Sequence, residues 1–135
     1  MNYWIIKSEP DVYSWDKFVS EGKSVWDGVR NYQARNNLKA MQEGDLALFY
    51  HSNIGKEIVG IAQVSHEHYP DPTIPEDPRW VVCEFKPYKK LNKTITLAQL
   101  KADERFATLS LIKNSRLSVL PISKEDFDLI LELSA

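Results

Sequence analysis

The sequence predicts an α+β fold built on a small, curved, largely antiparallel sheet or open barrel. Two observations indicate this class. Strand-like and helix-like segments mix without the regular alternation that parallel α/β units require. Two clear strand patterns are also joined by a short turn signal, which indicates a β-hairpin. Because 135 residues is an ordinary length for one domain and no linker interrupts them, we expect residues 1–135 to form a single domain.

The N-terminal part of the chain predicts a strand followed by two short helices. The strand is "YWIIK" at residues 3–7. Ser14 is placed to cap a helix that ends at Gly22. Trp15, Phe18 and Val19 are predicted to share one face of this helix. "ARNNLKAM" at residues 34–41 then predicts a second helix, which ends at Gly44.

The middle of the chain predicts three strands and a rigid loop. "DLALFYH" at 45–51 and "EIVGIAQVSH" at 57–66 form the hairpin, and "SNIGK" between them supplies the turn. "YPDPTIPEDP" at 69–78 contains four prolines, which lack the backbone donor that a sheet needs, so we expect a stiff loop. "RWVVCEFKPY" at 79–88 predicts the next strand.

The C-terminal part predicts two helices. Thr96 and Gln99 have the spacing of a capping box in front of "LAQLKAD" at 97–103. Ser123 is placed to cap the last helix, whose inner face is predicted to carry Phe127, Ile130 and Leu131.

Composition and charge exclude several classes of protein. With 43% hydrophobic and 27% charged residues, and no long apolar run, the chain is expected to be globular, without a membrane span. The N-terminus lacks a basic leader, so we expect a cytoplasmic protein, or a nuclear one in a eukaryote. A net charge of −2 argues against a protein that binds polyanions with its whole surface. The segments 86–93 and 113–124 are nonetheless basic, which leaves either one basic face or ordinary solvated loops.

Signatures of catalysis and of metal binding are scarce. There is no glycine-rich phosphate loop, no G-x-S-x-G and no H-E-x-x-H, and we expect no cofactor. His66 and His68 lack a third ligand at a familiar spacing, so no metal site is expected. Lys7 and Glu9 could be an activated amine beside a base, or a surface ion pair. His51 could be an acid or base, or a partly buried histidine with a structural partner.

The stretch "SVWDGVRNYQARNNL" at residues 24–38 combines aromatic and polar side chains in an unusual way. Burying Trp26 beside so many polar groups is costly unless each group finds a partner, and the edge of a planar ligand is such a partner. The alternative is a Trp26 in the core, followed by an exposed helix. The residue chemistry alone leaves both interpretations open.

Six motifs resemble the EVE domain family in order and spacing. They are "YWIIKSEP", "VWDGVRNYQARNNLKAM", "GDLALFYHSN", "VGIAQV", "YPDPT" and "SRLSVLPIS", and together they cover nearly the whole chain. The resemblance implies a PUA-like fold, which is a curved β-barrel with flanking helices, and a relationship to the YTH domains that read a methylated adenine in RNA. It also implies a non-enzymatic reader of a modified nucleobase. The leading expectation is modified cytosine in DNA, and the alternative is a modified base in RNA.

The same resemblance implies a set of ligand-binding residues. Trp26 resembles the stacking wall, while Lys7 and Arg116 resemble residues that hold the phosphates on either side of the base. The polar side of the pocket would be formed by Asp27, Arg30 and Asn31, its floor by Ser8, Tyr50, His51 and Ser52, and its rim by Pro70 and Asp71. Val29 and Tyr32, within the same motif, complete the predicted set.

The sequence departs from the YTH pattern at the second wall of the pocket. YTH domains supply a second Trp from the loop before the strand that begins "RW", whereas the corresponding loop at 69–78 contains none. Tyr69 is a candidate substitute, and a half-open pocket is the alternative.

Three functional hypotheses follow from the sequence. The first is a monomeric reader of a modified base in nucleic acid, without contact with a membrane. The second is an enzyme acting on a modified nucleobase or nucleoside, similar to amidohydrolases that use a Lys and a carboxylate, here Lys7 and Glu9. The third is an accessory protein that binds a partner through the pocket or through the acidic last helix, which carries Glu125 and Asp128.

Overall fold

Six strands form one mixed sheet in the computed structural model, which describes residues 1–135. They are β1 (Tyr3–Ser8), β2 (Ser24–Val25), β3 (Leu46–His51), β4 (Glu57–Pro70), β5 (Val81–Thr96) and β6 (Val119–Ile122). The strand order is β2-β5-β4-β3-β1-β6, so the sheet is not closed and has β2 and β6 at its edges. β1 is parallel to β3, and the other pairs are antiparallel.

Short helices flank this sheet. They are α1 (Trp15–Glu21), α2 (Tyr32–Ala40), α3 (Leu97–Ala102), α4 (Ser110–Lys113) and α5 (Lys124–Leu133), with a 3₁₀ turn at Glu104–Phe106. None of these helices has the length and apolar character needed to cross a membrane. The predicted α+β class is confirmed, and so is the predicted hairpin of β3 and β4.

Local capping signals are confirmed where the sequence predicted them. The Ser14 side chain accepts a hydrogen bond from the backbone N–H of Lys17, and Gly22 ends α1 with a φ of 73°. Thr96 and Gln99 form the capping box of α3. Ser123 accepts from the N–H of Asp126 at the start of α5. Each of these signals depends only on residues within one turn of a helix, which is why the sequence reveals them.

The first two helices differ in detail from what the sequence indicates. Of the three apolar residues on one face of α1, Trp15 and Phe18 are buried, whereas Val19 is 49% exposed. The second helix begins at Tyr32, because the Asn31 side chain accepts from the backbone N–H of Ala34 and caps it there. It ends at Ala40 rather than at Gly44, which has a φ of 94° in the turn that leads into β3.

The predicted bounds of β4 and β5 are too short. β4 continues through Tyr69 and Pro70, which pair with Val82 and Val81, so the proline-rich connection begins only after Pro70. β5 runs on to Thr96, and the basic segment 86–93 is therefore part of a strand rather than a loop. Irregularities in the pairing of β4 with β5 let the two long strands bend without separating.

An aromatic cluster joins helix α1 to the sheet. The rings of Phe18 and Phe49 are stacked at 5.3 Å, and Trp15 meets both of them edge to face. Trp26 adds to this cluster through edge-to-face contacts with Phe49 at 5.8 Å and with Phe85 at 5.6 Å. The cluster therefore packs against the buried part of the Trp26 ring.

Gly60 of β4 lies directly against the Trp15 ring of this cluster. A β-carbon at Gly60 would lie 2.5 Å from Trp15 Cη2, and the ring is buried and cannot move aside. We expect Gly60→Ala to lower the free energy of unfolding by roughly 1–3 kcal/mol, the usual cost of overpacking a core. Chemical denaturation checks this, and in a Trp15→Leu background the same substitution should cost much less. An equal cost in both backgrounds would show that the contact is not the cause.

Candidate functional site

A large cleft lies between the end of β1, helix α1 and the segment 23–28. Its volume is about 800 Å³. We call it the Trp26 cleft; the lining residues that matter below are Lys7, Ser8, Tyr13, Lys23, Trp26 and Asp27. Four of the predicted ligand-binding residues therefore meet here, and they are Lys7, Ser8, Trp26 and Asp27.

Trp26 forms one wall of this cleft. Its position follows from β2, because the chain leaves the edge strand with the Trp26 backbone N–H donating to the Cys83 carbonyl at 2.9 Å. Only 9% of Trp26 is exposed. Most of the indole is therefore core, and a small part borders the cleft.

Tyr13 is the aromatic residue that shares the cleft with Trp26. The two ring centroids are 6.3 Å apart and the rings are inclined at 77°. The Tyr13 hydroxyl donates to Glu21 Oε1 at 2.7 Å, and the Ser8 hydroxyl donates to the Tyr13 carbonyl at 2.5 Å. Because the rings are not parallel, a planar ligand would find one face to stack on and one edge beside it.

Tyr69 does not supply the second wall that the sequence suggested. Its hydroxyl donates to Glu84 Oε2 at 2.7 Å, and this hydrogen bond raises the pKa of Tyr69 to about 12. Its ring packs edge to face against His66. Tyr13 was missed because it lies outside the strand ends and the aromatic stretch on which the sequence argument concentrated.

The charges around the Trp26 cleft are nearly balanced. Its lining includes the cations Lys7, Lys17 and Lys23 and the carboxylates Glu9, Glu21 and Asp27. Lys23 is also paired with Glu84 at 3.0 Å. This arrangement suits an uncharged polar ligand better than a polyanion.

A second cleft lies on the other side of the end of β1. Its volume is about 520 Å³. We call it the Arg116 cleft; the lining residues used below are Lys7, Tyr50, Ser52, Lys56, Lys101 and Arg116. Tyr50 and Ser52, predicted as the floor beneath Trp26, therefore lie in this second cleft instead.

Lys7 and Glu9 line both clefts and mark the place where they meet. Lys7 Nζ donates to the Ser115 carbonyl at 2.8 Å. Partial burial lowers the pKa of Lys7. Lys7 forms no ion pair with Glu9, although both residues lie at this junction.

Asp71 and Arg30 line neither cleft, and they join the segment that follows Trp26 to the proline-rich loop. The Asp71 carboxylate is buried and accepts from Arg30 Nη1 at 3.0 Å and from the Gly28 N–H at 3.2 Å. It also accepts from the N–H and hydroxyl of Thr73, at 2.8 and 2.6 Å. Burial by itself would raise the pKa of Asp71, but these hydrogen bonds outweigh it and lower the pKa to about 2. We call Gly28, Arg30, Asp71 and Thr73 the Asp71 latch.

Five other predicted site residues line neither cleft, and they are Val29, Asn31, Tyr32, Pro70 and His51. Val29 is buried in the core, and Asn31 is committed to capping α2. Tyr32 packs against Trp80 at 5.1 Å, and Pro70 ends β4. Val29, Asn31 and Tyr32 follow Gly28, which has a φ of 76° and is the last residue of this segment to line the Trp26 cleft.

His51 has a structural partner. Its Nε2 accepts from the backbone N–H of Trp15 at 3.0 Å, at the start of α1. Burial lowers the pKa of His51, although Glu57 and Asp16 oppose this shift. The accepting nitrogen must be unprotonated, so the ring is held as a neutral imidazole. Of the two roles that the sequence left open, the structure therefore places His51 in the structural one.

The structure also bears on metal and thiol chemistry. No group of three or more His, Cys, Asp or Glu side chains is arranged to hold a metal ion. Cys83 is buried, and burial raises the pKa of its thiol to about 12.

Solved structures of similar fold come from bacteria and from human. A protein from Rhodopseudomonas palustris is 46% identical, with a TM-score of 0.95 over 99% of this chain and 93% of that one. The human THYN1 protein in complex with 5-methylcytosine-containing DNA is 31% identical, with a TM-score of 0.94 over 99% of this chain and 98% of that one. The ASCH protein from Zymomonas mobilis, at 14% identity and a TM-score of 0.61, shares the fold alone. The PUA-like architecture is thereby confirmed.

Proteins of similar sequence include thymocyte nuclear proteins from two mammals. Thymocyte nuclear protein 1 of Mus musculus is 35% identical over 98% of this chain and 73% of its own length. The Homo sapiens protein of the same name is 34% identical over the same shares. Residues 2–133 match the EVE domain. The chain therefore belongs to the EVE domain family.

Proposed function

We propose that this protein is a non-enzymatic reader that binds a modified nucleobase at the Trp26 cleft. The leading candidate is a modified cytosine in DNA. One observation carries the proposal. The human THYN1 protein, which has the same fold over 99% of this chain, is in complex with DNA that contains 5-methylcytosine. The Trp26 cleft offers the chemistry that such a base requires.

Stacking and edge hydrogen bonds would hold the base. A base that packs on an aromatic side chain gains about 1–3 kcal/mol, and Trp26 provides such a surface. A carboxylate can accept from the exocyclic amino group of cytosine, and Asp27 lines the cleft beside Trp26. Because extruding a paired base costs a few kcal/mol, these contacts together must exceed that cost.

The expected preference for a methylated base is modest. Burying one methyl group contributes about 0.8 kcal/mol by transfer, and roughly 1–3 kcal/mol in a tight pocket. Since 1.4 kcal/mol is about tenfold in affinity, the methylated base should bind a few-fold to tens of fold more tightly.

The geometry around Lys7 favours a reader over an amidohydrolase. Lys7 Nζ is committed to the Ser115 carbonyl, and neither a hydrogen bond nor an ion pair joins it to Glu9. An amine that acts as a nucleophile needs a base within reach. Incubation with acylated and alkylated nucleosides, followed by mass spectrometry, is expected to show no product.

The proposal extends to the chain as a whole. Residues 1–135 would act as one domain and as a monomer, with no metal or cofactor. The protein would work where its nucleic acid is, in the nucleus of a eukaryotic cell or in the cytoplasm of a bacterial one.

A titration tests the proposed function. The protein is titrated against matched DNA and RNA oligonucleotides that carry cytosine or 5-methylcytosine at one position. We expect tighter binding of the methylated DNA, and Asp27→Asn should weaken binding because it reduces the acceptor strength at the base edge. Equal affinity for all the oligonucleotides would overturn the proposal.

A further inference from the structure

The Arg116 cleft carries an excess of positive charge. Its lining includes the four cations Lys7, Lys56, Lys101 and Arg116 and a single carboxylate, Glu9. The protein contains five ion pairs, and none of them includes any of these four cations. A concave surface lined by one sign of charge focuses the field and attracts ions of the opposite sign.

Separate elements bring these cations together. Lys56 ends the turn between β3 and β4, and its carbonyl accepts from the Leu97 N–H at 2.8 Å, which ties the turn to the start of α3. Lys101 is in the last turn of α3, and Arg116 precedes β6. With Lys7 on β1, four segments that are far apart in the sequence build the cleft.

Uncharged donors complete the lining. The same cleft is lined by Ser52, Asn53, Ser115 and Ser118, whose side chains carry hydroxyl or amide donors. Phosphate oxygens in protein–DNA complexes accept hydrogen bonds from Lys, Arg, Ser and Asn side chains of this kind. The donor set therefore matches a phosphodiester group.

The location of the cleft links it to the proposed base site. Both clefts share Lys7 and Glu9 at the end of β1. A nucleic-acid strand that places a base beside Trp26 would thus carry a neighbouring phosphate across Lys7 and into the Arg116 cleft. The balanced charge of the Trp26 cleft suits an uncharged base, and the positive charge of the Arg116 cleft suits the phosphates of the nucleic-acid backbone.

We propose that the Arg116 cleft is a second binding site, in which Lys56 and Lys101 join Arg116 in holding phosphate groups of the strand next to the bound base. This inference rests on the proposed function. It goes beyond the family resemblance, which implied phosphate contacts for Lys7 and Arg116 only. Lys56 and Lys101 determine overall affinity, whereas the Trp26 cleft determines the preference among bases.

A charge-neutralising double variant tests the site. Lys56→Gln with Lys101→Gln is compared with Lys86→Gln with Lys93→Gln, which removes the same charge from exposed positions on β5. Dissociation constants for methylated and unmethylated oligonucleotides are measured from 50 to 400 mM salt. For the first variant we expect affinity on the order of tenfold lower at low salt for both oligonucleotides, and a salt slope reduced by roughly two. The control should keep the slope of the unmodified protein, and equal slopes in both variants would overturn the inference.

A ligand without phosphate separates this inference from the proposed function. The nucleoside 5-methyl-2′-deoxycytidine should bind the Lys56→Gln, Lys101→Gln variant as it binds the unmodified protein, and weaker binding to the variant would overturn the phosphate assignment. If methylated oligonucleotides are preferred but the double variant changes nothing, the second site alone is refuted. If no base is preferred while the double variant still reduces the salt slope, the second site stands and the proposed reading function fails.

Discussion

Replacing Trp26 with alanine is expected to abolish the preference for a methylated base and to lower the free energy of unfolding by about 3–5 kcal/mol. The two effects share a cause, because the indole is both the wall of the cleft and a partner of Phe49 and Phe85 in the core. Binding is measured by titration with methylated and unmethylated oligonucleotides, and stability by chemical denaturation.

A second variant keeps this prediction testable if the alanine protein unfolds. Trp26→Phe preserves an aromatic ring for the core contacts but offers a smaller surface for stacking. It should fold, and its preference for the methylated base should be weaker than that of the unmodified protein. A folded Trp26→Ala or Trp26→Phe protein with unchanged affinity for the methylated oligonucleotide would show that the base does not bind beside Trp26.

Removing the Asp71 carboxylate is expected to lower the free energy of unfolding by about 3 kcal/mol. Asp71→Ala leaves the Gly28 and Thr73 N–H groups without their acceptor, and hydrogen bonds to charged groups contribute about 1.5–3 kcal/mol each. The Arg30 side chain is 37% exposed and can turn to solvent, so the cost stays below the sum of these contacts. Base binding should also weaken, because the Asp71 latch holds the segment that carries Trp26.

The control for this variant lies in the same loop. Asp77 is paired with Arg79 at 2.8 Å on the surface, so Asp77→Ala should change stability little. Denaturation of both variants gives the comparison. An equal effect of the two substitutions would mean that the buried latch contributes no more than a surface ion pair.

The lowered pKa of Asp71 also predicts how stability depends on pH. The folded protein keeps this carboxylate ionised down to about pH 2, whereas the unfolded chain protonates it near its ordinary value of 3.8. The contribution of Asp71 to stability is therefore complete above pH 4 and is lost as the pH falls towards 2. Urea denaturation between pH 2 and pH 5 should show a smaller decline for Asp71→Ala than for the unmodified protein.

Side-chain direction explains why the predicted floor of the pocket was divided between two places. Tyr50, His51 and Ser52 are consecutive, and successive side chains of a strand point to opposite faces. Tyr50 and Ser52 line the Arg116 cleft, while His51 points towards the backbone of Trp15. The sequence motif places all three residues at one strand end, but it does not give the face on which each of them lies.

Long-range contacts account for most of the remaining differences between the site predicted from the sequence and the structure. The Asp71 latch joins residues about 40 positions apart, and the sequence motif gives no indication that Arg30 would turn towards Asp71. Tyr13 contacts Trp26 after a turn that follows β1, in which the Tyr13 N–H donates to the Glu9 carbonyl at 2.7 Å. By contrast, the caps at Ser14 and Thr96 and the hairpin of β3 and β4 depend on neighbouring residues, and the sequence predicts them correctly.

The most direct test of the central claim is to locate the base on the protein. An oligonucleotide that contains 5-methylcytosine is added to ¹⁵N-labelled protein, and chemical shifts of the backbone amides and indole groups are followed. We expect the largest changes at Ser8, Tyr13 and Trp26, with smaller changes around Lys56 and Lys101. Changes confined to Tyr32 and Trp80, or to helix α5, with none at Trp26, would contradict the account.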